Sequence, residues 1–258
     1  MEARGIEYLA NLRGLESLSV GIYKLENFEF LKDVDASSLK KLFLGNTFSK
    51  KPDLNIIERF THLQKLYVEG QKRGIEVIGR LPDLEDLTLR SITVPSLAFL
   101  VGLGKLWSLD IKLGGTKNIA ELTNINSLKY LELWQVTGLM DLEPISKMSH
   151  LQYLFLQSLR NIHQLPDLTA LRSLRRVHLE NMKGLTSIAP LETAPALEEL
   201  VHIDARGFEP SQYVGLIGNG RLKRLNVGFG SERKNGLLRE MITKAGISAS
   251  LGGTFRFE

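Results

Sequence analysis

The chain has 258 residues, 43% of them hydrophobic and 24% charged, with a formal net charge of +4 and no cysteine. This composition excludes a wholly disordered chain, a disulfide framework, thiolate metal sites and a cysteine nucleophile. The slight basic excess gives no case for nucleic-acid binding by itself. Leucine is over-represented, with 47 residues, so the chain is searched first for a repeat.

A partial repeat of Ile6, Leu9 and Leu12 comes first in the chain, and ten full repeats follow it. Each full repeat opens on Leu-x-x-Leu-x-Leu, with another residue in some places. The opening leucines lie 21 to 25 residues apart, at Leu15, Leu39, Leu63, Leu84, Leu106, Leu128, Leu151, Leu174, Leu197 and Leu222. Within the motif, apolar residues two positions apart predict a short β-strand. After it they recur every third position, which predicts 3₁₀ or extended turns instead of an amphipathic α-helix.

The last part of the chain has a different pattern. Residues 236–245 are predicted as a short helix with Leu237, Leu238, Met241 and Ile242 on its apolar side, ended by Gly246. Residues 247–257 are predicted as a closing strand or two. We therefore divide a single domain into a solenoid, residues 1–230, and a C-terminal cap, residues 231–258, that covers the last coil.

The repeated motif resembles that of the leucine-rich repeat family over about residues 6–230. The resemblance implies an α/β fold class and a right-handed solenoid, or horseshoe. Its concave face would be a parallel sheet of about ten short strands, and its convex face 3₁₀ and irregular turns. The family's usual inter-coil Asn is replaced by Val136, Leu159 and Met182 in the most regular repeats, so we expect the backbone there to bond with neighbouring coils or water.

The candidate site is the outward side of the strands, formed by the third, fifth and seventh positions of each repeat. Aromatic residues cluster there on two adjacent predicted strands, charged and polar residues surround them, and a second aromatic pair lies nearer the N-terminus. The predicted partner-binding set is Phe43, Tyr67, Asp110, Lys112, Tyr130, Glu132, Trp134, Tyr153, Phe155, Gln157, Arg176, His178 and Glu180. Such a patch is typical of interface hot spots. The alternative is structural, because strands favour aromatics and cross-strand pairs stabilise sheets.

His202 falls on a core position of the ninth repeat. Either it is buried and hydrogen-bonded, or the strand slips by one residue so that Val201 and Ile203 face inward.

The resemblance implies a non-enzymatic recognition module that binds a protein partner on its concave face, as an adaptor, an enzyme regulator or an inhibitor of the immunity or effector type. The sequence contains no catalytic, metal-binding or phosphate-loop motif, so we predict no cofactor and no metal. Two alternatives stay open. Basic residues could contact nucleic acid, although acidic residues interrupt them; they lie at Lys40, Lys41, Lys50, Lys51 and Lys65 and in clusters at residues 172–176 and 221–224. An enzyme would place its site in the groove or the cap.

No apolar stretch approaches the roughly 20 residues of a membrane helix, and residues 1–4 show no signal-peptide pattern. We therefore expect a cytoplasmic monomer with no membrane partner. A secreted protein whose signal peptide had been removed would have the same sequence features.

Overall fold

Ten short strands form one parallel sheet in chain order in the computed structural model, which describes residues 6–250 and 253–258. Each inner strand pairs with those of the preceding and following repeats, and the two edge strands pair with one strand each. Their bounds are β1 Ser17–Val20, β2 Lys41–Leu44, β3 Lys65–Glu69, β4 Asp86–Arg90, β5 Ser108–Lys112, β6 Tyr130–Trp134, β7 Tyr153–Gln157, β8 Arg176–Glu180, β9 Glu199–Ile203 and β10 Arg224–Val227. The predicted sheet of about ten short strands is confirmed.

Short helices and irregular turns return the chain between strands. The 3₁₀ helices span Ile6–Asn11, Glu29–Asp33, Leu54–Arg59, Ile75–Arg80, Ala98–Leu100, Ala120–Asn124, Glu143–Lys147 and Pro210–Tyr213. The α-helices are α1 Ala189–Glu192, α2 Val214–Gly218 and α3 Glu232–Lys244. This confirms the 3₁₀ face that the three-residue apolar spacing predicts, since a 3₁₀ helix brings every third side chain to the same side.

The strands pair in the register of the repeat, so equivalent leucines stack in columns. Leu131 of β6 pairs with Leu109 of β5 and with Leu154 of β7, and all three side chains are buried. Each coil therefore buries its apolar edge against its neighbours, which is how a solenoid builds a core without long-range packing.

The chain leaves six central strands through a residue in the left-handed region. In these six repeats the eighth residue has φ between 49° and 58°, at Ser91, Leu113, Gln135, Ser158, Asn181 and Asp204. In five of the six, the amide donates to the carbonyl of the last strand residue of the next coil, as Gln135 N does to Gln157 O at 2.8 Å. The conformation costs a residue other than Gly about 1–2 kcal/mol, and the inter-coil hydrogen bond offsets part of that cost.

The position of the missing Asn is buried and apolar in the central repeats, as predicted. Near Val136, the amide of Thr137 donates to the carbonyl of Gly114 at 2.8 Å, so a neighbouring coil satisfies the backbone. Two earlier repeats carry a polar residue at this position, Thr47 and Gln71. Gln71 donates Nε2 to the carbonyl of Gly45 and to Thr47 Oγ1, each at 3.2 Å.

His202 faces the core in register, where it pairs with Leu179, and its side chain is 1% exposed. Its Nδ1 shares a 2.8 Å hydrogen bond with the hydroxyl of Tyr213, which is also fully buried. The strand does not slip, and the alternative of a buried, hydrogen-bonded histidine is confirmed.

Helix α3 covers the last coil with Leu238 and Ile242, which are both buried. It begins at Glu232, four residues before the predicted start, because Ser231 caps it by accepting a hydrogen bond from the amide of Lys234. The polar first turn carries no apolar pattern, so its helical state was not visible in the sequence.

The predicted closing strand over residues 247–257 is corrected by the structure. Within the described part of that range, only Ser248 joins the sheet, through a single bridge to Arg224, and residues 253–258 form no strand. Those residues instead run back across the outward face of the sheet, because Phe255 and Phe257 pack on aromatic side chains there.

Candidate functional site

The structure brings eleven of the thirteen predicted residues together on the outward side of β5 to β8. We call this the central sheet surface, and its members are Asp110, Lys112, Tyr130, Glu132, Trp134, Tyr153, Phe155, Gln157, Arg176, His178 and Glu180. Phe43 and Tyr67 lie apart on β2 and β3, with ring centroids 6.3 Å from each other and β4 between them and the central sheet surface. The predicted set therefore divides into one large surface and one separate pair.

The third-position side chains form a stacked row. The rings of Tyr130 and Tyr153 meet edge to face with centroids 5.0 Å apart, and the Arg176 guanidinium lies 5.2 Å from the Tyr153 ring. Arg176 also donates to Glu199 Oε2 from Nε at 3.0 Å and from Nη2 at 2.7 Å. Burial raises the pKa of Tyr153, so its hydroxyl remains neutral. The row is rigid because each side chain is held by the next.

A charged cluster lies beside this row. Lys112 Nζ is 3.2 Å from Asp110 Oδ2 and 2.9 Å from Glu132 Oε2, so two carboxylates share one ammonium group. The hydroxyl of Tyr130 donates to Glu132 at 2.9 Å, and that of Thr88 donates to Asp110 at 3.0 Å. Burial raises the pKa of Asp110 to about 6, against the opposing effect of the Lys112 charge. The cluster presents excess negative charge when both carboxylates are ionised.

The remaining members of the central sheet surface lie at fifth and seventh positions on β6 to β8. We call them the open row: Trp134, Phe155, Gln157, His178 and Glu180. Phe155 stacks on the His178 ring at 4.1 Å, and Gln157 Nε2 donates to Glu180 Oε1 at 2.9 Å. The Arg90 guanidinium of β4 lies 5.4 Å from the Trp134 ring. Burial lowers the pKa of His178 although the nearby Glu180 raises it. These half-buried side chains combine aromatic faces with hydrogen-bonding groups.

Residues 253–258, which we call the docked segment, occupy the other part of the surface. The Phe257 ring lies 5.0 Å from Trp107 and 6.1 Å from Tyr130, and the Phe255 ring lies 5.3 Å from Tyr153. The docked segment therefore covers the third-position row. Its ring contacts do not include the aromatic residues of the open row.

The sequence analysis missed the residues that hold the docked segment. They occupy the second position of four consecutive repeats, at Trp107, Lys129, Gln152 and Arg175. The sequence prediction treats only the third, fifth and seventh positions of each repeat as outward-facing. The signal that could have revealed them is the run of long polar and aromatic side chains directly after four opening leucines.

In the part of the chain that the structure describes, no group of three or more His, Asp or Glu side chains is arranged to hold a metal ion. Nor does that part of the chain contain a helix with the length and hydropathy to cross a bilayer. A cavity of about 780 Å³ lies beyond the ends of β3 and β4, against Ile75, Ile92 and Phe99, and none of the predicted residues lines it.

No family model matches the chain, and no curated protein matches it by sequence. Solved structures match its fold. Internalin C2 from Listeria monocytogenes superposes with a TM-score of 0.58 at 22% identity, over 73% of this chain and 81% of that protein. The internalin inlF from the same organism gives 0.64 at 19% identity, over 86% of this chain and 64% of the other. The plant peptide hormone receptor RGFR1, in complex with RGF2, gives 0.54 at 15% identity, over 86% and 37%. The chain thus spans less than two thirds of the last two proteins, and at these identities the similarity is one of fold.

Proposed function

Since the chain has the leucine-rich repeat fold, we propose that it is a non-enzymatic recognition module that binds a protein partner through its central sheet surface. Such a module acts by binding alone, as an adaptor, an enzyme regulator or an inhibitor. The cytoplasmic monomer expected from the sequence is part of this proposal.

The open row carries the proposal. Trp134 and Phe155 face outward on adjacent strands, and each is held by a neighbour: Arg90 lies against the Trp134 ring and His178 stacks on Phe155. Side chains held in place before binding lose little conformational entropy when a partner arrives. Aromatic anchors with a polar surround are the usual hot spots of protein interfaces. That a plant peptide hormone receptor of similar fold was solved in complex with RGF2 supports a binding role for a protein of this fold.

Four of the six basic side chains at residues 172–176 and 221–224 are paired with carboxylates, which favours a protein partner over nucleic acid. Arg176 donates to Glu199, Lys223 Nζ lies 2.7 Å from Glu198, and Arg175 Nη1 lies 2.8 Å from Glu258. Cations already paired with carboxylates offer little net charge to a phosphate backbone, on which nucleic-acid affinity depends.

The first test is capture from a lysate of the source organism, followed by affinity measurement with the purified captured protein. The double variant Trp134→Ala with Phe155→Ala should bind that protein at least tenfold more weakly than wild type, because hot-spot truncations cost about 2 kcal/mol or more each. Calorimetry or surface plasmon resonance measures the change, and thermal melting verifies the fold.

Tyr23→Ala with Phe48→Ala is the matched control. These two rings lie 5.7 Å apart on the first two repeats, are 61% and 71% exposed, and stand outside the central sheet surface. The control variant should retain full affinity. Equal affinity of the wild type and the Trp134/Phe155 variant would contradict the proposed site.

A further inference from the structure

Side chains of the sheet hold the backbone of the docked segment. The amide of Glu258 donates to Gln152 Oε1 at 2.9 Å, and Gln152 Nε2 donates to the main-chain oxygen of Glu258 at 2.9 Å. Lys129 Nζ donates to the same oxygen, and Arg175 Nη2 donates to the carbonyl of Arg256 at 2.6 Å. The reciprocal pair at Gln152 imitates the two hydrogen bonds of a neighbouring strand. These bonds go to backbone groups, so any extended segment could make them.

Two aromatic side chains of the docked segment supply the specific contacts. Phe257 packs on Trp107 and Tyr130. Phe255 packs on Tyr153, while the guanidinium groups of Arg175 and Arg176 each lie 5.0 Å from its ring centroid. Each aromatic residue therefore has its own place on the sheet.

The side chains of Thr254 and Arg256, which precede the two aromatic residues, point the other way, whereas Glu258 reaches back to Arg175. Thr254, Arg256 and Glu258 are exposed, while Phe255 and Phe257 are half-buried. Alternation of this kind is the geometry of an extended chain, in which neighbouring side chains point to opposite sides. The two aromatic rings, two positions apart in the chain, therefore face the sheet, and the side chain of Arg256 between them is exposed.

The docked segment does not belong to the core. The buried apolar cluster of the solenoid includes neither Phe255 nor Phe257. An open groove of about 270 Å³ borders the contact, lined by Trp107, by Ser108 and Tyr130 of the sheet and by both phenylalanines. The two phenylalanines therefore stay only half-buried, unlike the residues of the core. A half-buried contact made by side chains to a backbone is suited to exchange with another segment.

We propose that the second- and third-position residues of β5 to β8 and of the turns that precede them form a peptide-binding site for an extended aromatic-x-aromatic segment. Residues 253–258 are its ligand within the same chain. This site lies beside the open row and uses different residues, so it extends the proposed function to a second part of the sheet. A protein partner gains access to it by presenting such a segment in place of residues 253–258.

The linked ligand masks the site in the wild type. A segment that belongs to the same chain has an effective concentration on the order of millimolar at its site, so a free peptide of similar affinity must compete with it. The test therefore compares the wild type with a full-length variant, Phe255→Ser with Phe257→Ser, which we call the emptied variant. The probe is a fluorescent hexapeptide with the sequence of residues 253–258, Gly-Thr-Phe-Arg-Phe-Glu.

The hexapeptide should bind the emptied variant at least tenfold more tightly than the wild type, as measured by fluorescence anisotropy. Adding Gln152→Ala to the emptied variant should weaken binding at least fivefold, since Gln152 makes two of the backbone hydrogen bonds. A control hexapeptide with both phenylalanines replaced by serine should not bind. Equal affinity for the wild type and the emptied variant, or binding to neither, overturns the proposal.

Two further variants make the result unambiguous. Trp134→Ala in the emptied variant should leave hexapeptide affinity unchanged, which separates this site from the open row and from the proposed function. Phe257→Ser alone keeps one aromatic residue and gives the same comparison if the emptied variant does not fold.

Discussion

His202 replaces an interior leucine, and its burial has a consequence for the pH dependence of folding. Burial lowers the pKa of His202 to about 4, while an unfolded histidine titrates near 6.5. As the pH falls from 6.5 to 4, the unfolded chain binds a proton that the folded chain does not bind. The contribution of His202 to stability is therefore complete above pH 6.5 and declines through this window.

Replacing His202 by Leu together with Tyr213 by Phe removes the titrating group without leaving the Tyr213 hydroxyl unpaired. The free energy of unfolding of this variant, relative to wild type, should rise by about 2–3 kcal/mol between pH 7 and pH 4.5. Urea unfolding at each pH measures it. His150→Leu, at an exposed histidine, is the control and should show no such rise. Parallel pH curves for the double variant and the wild type would refute the argument.

At the scale of the element, strands β5 and β6 are joined by the ammonium group of Lys112 as well as by their backbone hydrogen bonds. Asp110 and Glu132 lie on adjacent strands, and Lys112 contacts both. The pKa of Asp110 in the fold, about 6, lies above its usual value, so its ionisation as the pH rises through 6 costs folding free energy. Lys112 limits that cost because its ammonium lies between the two carboxylates.

Lys112→Met should therefore destabilise the protein in a pH-dependent way. We expect a loss of about 2–3 kcal/mol at pH 8, where Asp110 is ionised and has lost its cation, and a loss at least 1 kcal/mol smaller at pH 5, where Asp110 is mostly protonated. Lys105→Met is the matched control, because Lys105 pairs with Asp83 at the surface, and its loss should have little effect on stability at either pH. Chemical unfolding at pH 8 and pH 5 measures the loss of stability. An equal loss at both pH values would mean that Lys112 acts by packing alone.

At the scale of the whole molecule, the coils have unequal support. Among the described residues, strand β1 pairs only with β2, and Leu18 and Val20 keep 8% and 7% of their surface exposed, whereas Leu131 is fully buried. At the other end, α3 covers the last coil. Because a solenoid is stabilised chiefly by contacts between adjacent coils, opening should begin where a coil has the fewest.

In the 258-residue chain, we expect the amides of β1 and β2 to exchange with deuterium at least tenfold faster than those of β6. Leu238→Ala with Ile242→Ala should loosen α3 and speed exchange in β10 while leaving β1 unchanged. Hydrogen-exchange mass spectrometry measures both. Protection of β1 equal to that of β6 would show that the solenoid opens as one unit.

The sequence alone determined the sheet and most of the central sheet surface. Strand side chains alternate with a period of two, and the leucine columns set the register, so residues such as Trp134 and Phe155 had to meet on the outward side. These predictions rest on a local pattern that occurs ten times. The same kind of pattern did not predict the start of α3, because Ser231 caps that helix and its first turn is polar.

The tertiary structure alone decided what lies on that surface. Gln152 and Glu258 are separated by 106 residues, and the contact between them depends on the path the chain takes after α3, which no local pattern encodes. His202 is a similar case: its spacing permitted two registers, and the hydroxyl of Tyr213 from the following turn supplies the hydrogen bond that makes burial favourable. Local periodicity determines which side a residue faces, whereas the partners of a polar or aromatic side chain depend on which distant segments the folded chain brings beside it.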